Sequence, residues 1–351
     1  MKLCFLVLLA TGLSISSVWA DQAGAEREIE RFEKAVAVYT NAVKEARTPE
    51  AQAEAAALRP RASAYALRLI GELRGNWREK WVVPHMAWVL NYAPDIPREQ
   101  IAGLKKVFRQ VHVRSEGAGQ FAYALRNVPD PDSLVLAEEV LEKNPSKVEQ
   151  GLAALGIAQM LENLGDDPEI ISRRLKMLRL AIVESADEVV AGQKVSDVAA
   201  ESLFVLNNLT KGREAPVLQG SDLAGKALKL SDFRGKVMVL VFWSTQEGAQ
   251  GEDTLRWLKE TAADIKSEDF VMLGVSVDSR AAVQRLTADG EITWANILDD
   301  SQSLAQSYRV RSLPQAYVID REGKIQYKGL PGAFVTFAVE ALLLPAGEAS
   351  E

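Results

Sequence analysis

The chain has 351 residues, 48% of them apolar and 25% charged, with a formal net charge of −7. That size and balance fit two globular domains of ordinary dimensions, and the acidic excess excludes the basic surface that nonspecific nucleic-acid binding requires. The one cysteine, Cys4, rules out a disulfide framework.

Met1-Lys2, the apolar run Leu3 to Ile15 and the small-residue ending Ser16-Ser17-Val18-Trp19-Ala20 have the three parts of a secretory signal peptide, residues 1–20, cut after Ala20. The run is shorter than the roughly 17–25 residues of a membrane-spanning helix, so an uncleaved anchor is the weaker alternative. Cys4 lies inside this segment, and cleavage leaves a mature chain without a thiol. No later run approaches a membrane span. The expected location is therefore extracytoplasmic, periplasmic or secreted.

Residues 21–210 are helical in pattern. In AEREIERFEKAVAVYTNAVKEA, Ile29, Phe32, Val36, Tyr39 and Val43 share one stripe with charges opposite, as an amphipathic helix requires. Pro60 and the breaks at Ala93-Pro94-Asp95-Ile96-Pro97, Val128-Pro129-Asp130-Pro131 and Asp166-Asp167-Pro168 punctuate the remainder, while Asn144-Pro145-Ser146 precedes a helix over Val148 to Leu164. Seven or eight helices are expected, in an irregular all-α array without a tetratricopeptide signature. Trp77, Trp81 and Trp88 stand at offsets that suit an aromatic face, though core packing explains them as well. His85 and His112, the only histidines, lack the partners of a metal site. RSEGAGQ, Arg114 to Gln120, lacks the lysine of a phosphate loop and reads as a connection.

Past Thr210-Lys211-Gly212-Arg213 the pattern changes to short β runs. Strands are predicted at Ala227 to Leu230, Val237 to Trp243, Phe270 to Val277, Ala316 to Ile319 and Lys324 to Tyr327, with helices at Thr254 to Ile265, Arg280 to Asp289, Ser303 to Tyr308 and Phe334 to Leu344. Val237 to Trp243 is apolar throughout, as in a strand covered on both faces. Asp320-Arg321-Glu322-Gly323 marks a hairpin. The expected fold class is an α/β domain over 211–346, a mixed sheet with helices on both faces, followed by a tail at 347–351. Asp299-Asp300 and Asp278 read as capping residues.

APVLQGSDLAGKALKLSDFRGKVMVLVFWST (Ala215 to Thr245), GVSVD (Gly274 to Asp278) and RSLPQAYVIDREGKI (Arg311 to Ile325) fall in an order and spacing that resemble the TlpA/ResA-like thioredoxin-fold proteins, relatives of the AhpC/TSA redoxins. The resemblance covers Gly212 to Gly332. It implies a thioredoxin-like fold, a cis-proline at Leu313-Pro314 and thiol-disulfide or peroxidase chemistry. The family's strand-end pattern FWATWCGPC appears here as FWSTQEGAQ, which puts Glu247 and Gln250 in the places of the two redox cysteines.

A carboxylate and an amide cannot form or resolve a mixed disulfide, a reaction that requires thiolate attack on sulfur. No residue is therefore assigned a catalytic role, and neither a metal nor a cofactor is expected. A Ser/His/Asp hydrolase would have to recruit His85 or His112 from the helical region. The residues expected to contact a ligand are Trp243, Leu313 and Pro314, since in relatives the cis-proline loop holds an extended polypeptide through its backbone. The expected function is a non-catalytic peptide-binding or scaffold module whose partner is an extended polypeptide or another envelope protein. The competing expectation is a thiol-disulfide oxidoreductase or peroxiredoxin-like enzyme, as the resemblance alone implies. N-terminal sequencing of exported protein is expected to begin near Asp21, and recovery of a chain starting at Met1 would contradict the leader assignment.

Overall fold

The computed structural model describes residues 12–344 apart from 129, 163 and 247. Most of the leader, Cys4, Glu247 and the tail at 347–351 thus lie outside the described residues. Two compact units divide the chain, Met1–Ser202 and Leu203–Glu351. No described helix is long and apolar enough to cross a membrane.

The first unit begins with α1 (Gly12–Glu45), α2 (Pro49–Ala57), α3 (Ala62–Leu73), α4 (Val82–Tyr92) and α5 (Arg98–Val111). After these come α6 (Ala118–Ala124), α7 (Pro131–Lys143), α8 (Lys147–Glu162) and α9 (Pro168–Ser185). A short antiparallel hairpin, β1 (Val189–Val190) and β2 (Gln193–Lys194), leads into α10 (Val195–Asn208). The helical expectation holds apart from the β1-β2 hairpin, which the sequence did not suggest, and seven or eight helices is too few. Elements as short as α2 and α6 span too few turns for an apolar period to register.

Caps set several of the boundaries. Thr48 accepts a bond from the Ala51 amide at 3.2 Å and Asp130 one from the Ser133 amide at 2.8 Å, each ahead of a proline in the first turn. Arg114 to Gln120, expected as a plain connection, instead starts α6. Its free amides Gly117 and Gly119 donate to the buried Glu149 carboxylate of α8 at 2.8 and 2.5 Å. Helix α8 is the hub of this unit, buried from Gly151 through Ala158.

Trp77, Trp81 and Trp88 do not make one face. Trp77 and Trp81 precede α4, and each gives its carbonyl to a histidine: Trp77 to His112 Nε2 at 2.6 Å, Trp81 to His85 Nδ1 at 2.7 Å. Both imidazoles are buried, in separate places, and burial lowers their pKa from the ordinary 6.5 against the raising effect of the carbonyl bond.

The second unit holds the end of α10, a hairpin of β3 (Gln219–Ser221) and β4 (Ala227–Lys229), β5 (Val237–Trp243), α11 (Ala249–Asp264), β6 (Phe270–Ser276) and α12 (Arg280–Ala288). It is completed by β7 (Ala295–Leu298), α13 (Ser303–Ser307), β8 (Gln315–Ile319), β9 (Ile325–Gly329) and α14 (Ala333–Leu343). The sheet order is β7-β6-β5-β8-β9. Strands β5, β6 and β7 run parallel, while β8 is antiparallel to both of its neighbours. This is the mixed thioredoxin-like sheet expected from the sequence.

All seven residues of β5 are buried. Val237, Val239, Val241 and Trp243 pack on one face with Leu258 of α11, Val283 of α12 and Val335 and Val339 of α14. Met238, Leu240 and Phe242 pack on the other with Val205, Leu209, Ala305 and Tyr308. Two strands of this unit were not foreseen, β3 and β7. Gln219–Ser221 is polar, and Ala295–Leu298 is too short to alternate, so each is a strand only because a neighbour pairs with it.

Two measurements test these packing arguments. Because the histidines are buried neutral, the unfolded chain takes up protons that the folded chain refuses once the pH drops below 6.5. Their contribution to stability is present above that pH and lost beneath it. Denaturant midpoints are expected to fall from about pH 7 to pH 5, and to fall less steeply in His85→Gln/His112→Gln. Second, the division between the units lies within α10, ahead of the Thr210-Arg213 turn, and Val205 and Leu209 belong to the sheet's core. A fragment 203–344 is expected to fold alone. A fragment 212–344 loses two buried side chains worth about 1.5–3 kcal/mol each, and circular dichroism should show a lower melting temperature.

Candidate functional site

The carboxyl ends of β5 and β6 point to the same edge of the sheet, because the two strands are parallel. Chains leaving such ends form a crevice where ligands are commonly bound in open α/β sheets. Here the crevice is a polar pocket of about 460 Å³ whose lining includes Ser244, Gln246, Asp278, Gln302, Arg311 and Leu313.

Asp278, just beyond β6, organises this edge. It is 2% exposed and accepts bonds from the Ser244 hydroxyl, from the Thr245 amide at 3.0 Å and from the Thr245 hydroxyl at 2.8 Å. Ser244 Oγ in turn accepts from the Gln246 amide at 3.0 Å. A carboxylate out of water is tolerable only when its lone pairs are filled in this manner. Asp278 was expected to cap α12, but Ser279 does that, accepting from the Ala282 amide. Asp299, by contrast, is a cap as expected and takes the Leu304 and Ala305 amides of α13.

The first turn of α11 lies directly against this loop. A Cβ on Gly251 would stand 2.7 Å from the Ser244 carbonyl oxygen, so only glycine permits the approach. Gln250 is exposed on that turn, and Glu247 lies outside the described residues.

Trp243 does not reach the surface. It is 0% exposed and its indole N–H donates to Asn296 Oδ1 at 3.1 Å, so its expected place among the ligand contacts is corrected to one of support from the core. That bond crosses β6 at Gly274, where a Cβ would stand 2.3 Å from Asn296 Oδ1.

Across the pocket, the Leu313-Pro314 peptide bond is cis. Pro314 is buried, Leu313 half-buried, and Arg311 and Ser312 are exposed. Among the described residues no backbone hydrogen bond is made by Arg311, Ser312 or Leu313. The structure thus brings Leu313 and Pro314 to the same end of the sheet as the loop leading to Gln250. Sequence reading overlooked Ser244, Thr245, Gln246 and Arg311. The Asp at the end of GVSVD was a visible signal, but its partners lie more than thirty residues away along the chain. Among the described residues no group of three or more His, Cys, Asp or Glu is placed to hold a metal ion.

Comparison with known proteins adds the family. Residues 211–328 match the AhpC/TSA family. The curated relatives include thiol-disulfide oxidoreductase ResA of Bacillus thuringiensis subsp. konkukian, 28% identical over 115 residues, 32% of this chain. ResA of Bacillus subtilis (strain 168) is 28% identical over 120 residues, 34% of this chain. The chain spans 66% of the length of each. Among solved structures, the thioredoxin domain of a thiol-disulfide oxidoreductase from Bacteroides vulgatus aligns with a TM-score of 0.35 at 30% identity, covering 39% of this chain and 100% of that one. A thiol-disulfide oxidoreductase from Bacteroides fragilis NCTC 9343 aligns with a TM-score of 0.34 at 26% identity, covering 37% of this chain and 100% of that one. Over residues 211–328 the chain is accordingly similar to the AhpC/TSA family, on a thioredoxin-like fold.

Proposed function

We propose that this chain is an exported thioredoxin-fold protein that binds an extended polypeptide and performs no redox chemistry of its own. The observation that carries the reading is the loss of sulfur. Glu247 and Gln250 occupy the positions of the family's cysteine pair, and the only cysteine in the chain is Cys4, inside the apolar leader. Disulfide exchange proceeds through a mixed disulfide and peroxide reduction through a sulfenic acid, and both intermediates need a cysteine sulfur.

Export rests on the Lys2, apolar-run and Val18-Trp19-Ala20 sequence of that leader. It agrees with the acidic, cysteine-free composition of residues 21–351. Peptide binding rests on the Arg311 to Leu313 backbone. Among the described residues these three make no backbone–backbone hydrogen bond, they line the pocket, and an extended chain could satisfy such groups by adding itself as one more strand. Arg311 adds a positive charge to that rim and favours a ligand with an acidic side chain.

The names of the curated relatives favour the second reading, a thiol-disulfide oxidoreductase, and one set of assays separates the two. Purified protein lacking residues 1–20 is expected neither to reduce a disulfide substrate with a dithiol as electron source nor to consume peroxide above a no-protein control. Robust turnover in either assay, with contaminating reductase excluded, would overturn the redox-inactive reading. Glu247→Cys/Gln250→Cys restores the cysteine spacing at the start of α11, where a thiolate is stabilised, and is expected to gain measurable exchange. Photocrosslinking from a reactive residue placed at Ser312 is expected to capture polypeptide in the envelope. Failure to capture any, alongside the cysteine result, would leave a scaffold with no peptide groove.

A further inference from the structure

A second concave feature belongs to the helical unit and has no part in the site above. Between α1 and α4 lies a groove of about 300 Å³ lined by Phe32, Glu33, Val36, Ala37, Trp88 and Tyr92. The amphipathic stripe of α1 explains why Phe32 and Val36 face α4, and the Trp88 of the sequence pattern meets them there. Three aromatic rings converge on it. Their centroids are 5.3 Å apart for Phe32 and Trp88, 6.0 Å for Phe32 and Tyr92, and 5.1 Å for Trp88 and Tyr92. Phe32 meets the other two rings edge to face, at 87° and 61°, whereas Trp88 and Tyr92 are tilted by only 32°, so a cation over those two adjacent faces can stand within about 6 Å of both rings, the range in which the ring quadrupole attracts positive charge.

Phe32 is buried at 9% exposure and forms the base of the groove, but the other two rings are accessible. Tyr92 is 48% exposed, and Trp88 is half-buried. A neighbouring ring already carries a cation: the Arg68 guanidinium lies 4.5 Å from the centroid of Tyr65, which is in edge contact with Phe32.

Charge supplies the second observation. Along α1, Glu28 pairs with Arg31 and Arg68, and Glu30 pairs with Lys34. Glu33, the one carboxylate lining the groove, has no cationic partner among the described residues. Aromatic walls, two small aliphatic side chains and one unpaired carboxylate suit an alkylated ammonium. Its charge is attracted by the rings and by Glu33, and its methyl groups fit against Val36 and Ala37. A lysine-type ammonium is less suited, because its three N–H donors would find one acceptor here and it is strongly hydrated.

We propose that this groove binds a small soluble compound carrying a methylated ammonium group, of the choline class. The test uses the full chain lacking residues 1–20, with choline, its neutral carbon isostere and phosphatidylcholine vesicles as probes in titration calorimetry. Saturable binding of choline is expected, with the isostere at least about tenfold weaker. Glu33→Gln, an exposed change that leaves the helix intact by circular dichroism, is expected to weaken choline about tenfold as well. Tyr92→Ala should abolish binding. Absence of saturable choline binding by the unsubstituted protein would overturn the proposal. Equal affinity for the isostere would overturn it too, since the groove would then be merely apolar. Binding to vesicles without binding to free choline would assign the surface to a lipid headgroup instead.

Discussion

The redoxin unit depends on one constraint, the burial of β5 on both faces. Val237 to Trp243 contributes alternate side chains to two separate cores, so a slip of one residue would exchange every contact with α11, α12 and α14 for one with Val205, Leu209 and Tyr308. A strand fixed so firmly delivers its carboxyl end to one position. The polar pocket of this unit is arranged around that end.

At that end the redoxin-like scaffold holds a loop through a set of polar and close contacts. The Asp278 carboxylate ties Ser244 and Thr245 to the end of β6, Gly251 lets α11 close against them, and Trp243 braces the loop from below through Asn296. These supports do not require sulfur. They hold the Ser244-Thr245 loop at the rim of a pocket that Arg311 and Leu313 also line.

The helical unit solves a different problem, that of burying polar groups among helices. Glu149 is 8% exposed and takes the free amides of α6. Lys105, 4% exposed, meets Asp130 and Asp132 at 2.7 Å. His85 and His112 are held neutral against backbone carbonyls. Each arrangement satisfies a polar atom that burial would otherwise leave unpaired, and the lowered pKa values of His85, His112, Asp130 and Asp132 make this unit sensitive to acid.

The sequence alone determined the features that local chemistry dictates. The unbroken apolar run of β5, the Asp320 to Gly323 hairpin, the helical stripe of α1 and the Pro and Asp caps were legible because each depends on neighbours within a few residues. Missing cysteines were legible for a stronger reason, since composition cannot be altered by folding. Only the tertiary structure decided the rest. Asp278 looked like a cap because its partners, Ser244 and Thr245, are brought to it by parallel pairing of β5 with β6. Trp243 looked like a surface contact because position at a strand's end does not say which face closes over the ring. Strand β7 exists because β6 offers it a partner, and the three tryptophans separated because the chain turns before α4 begins. For Asp278, Trp243 and β7 the deciding contact joins residues far apart in the chain, and spacing along a sequence carries no record of that distance.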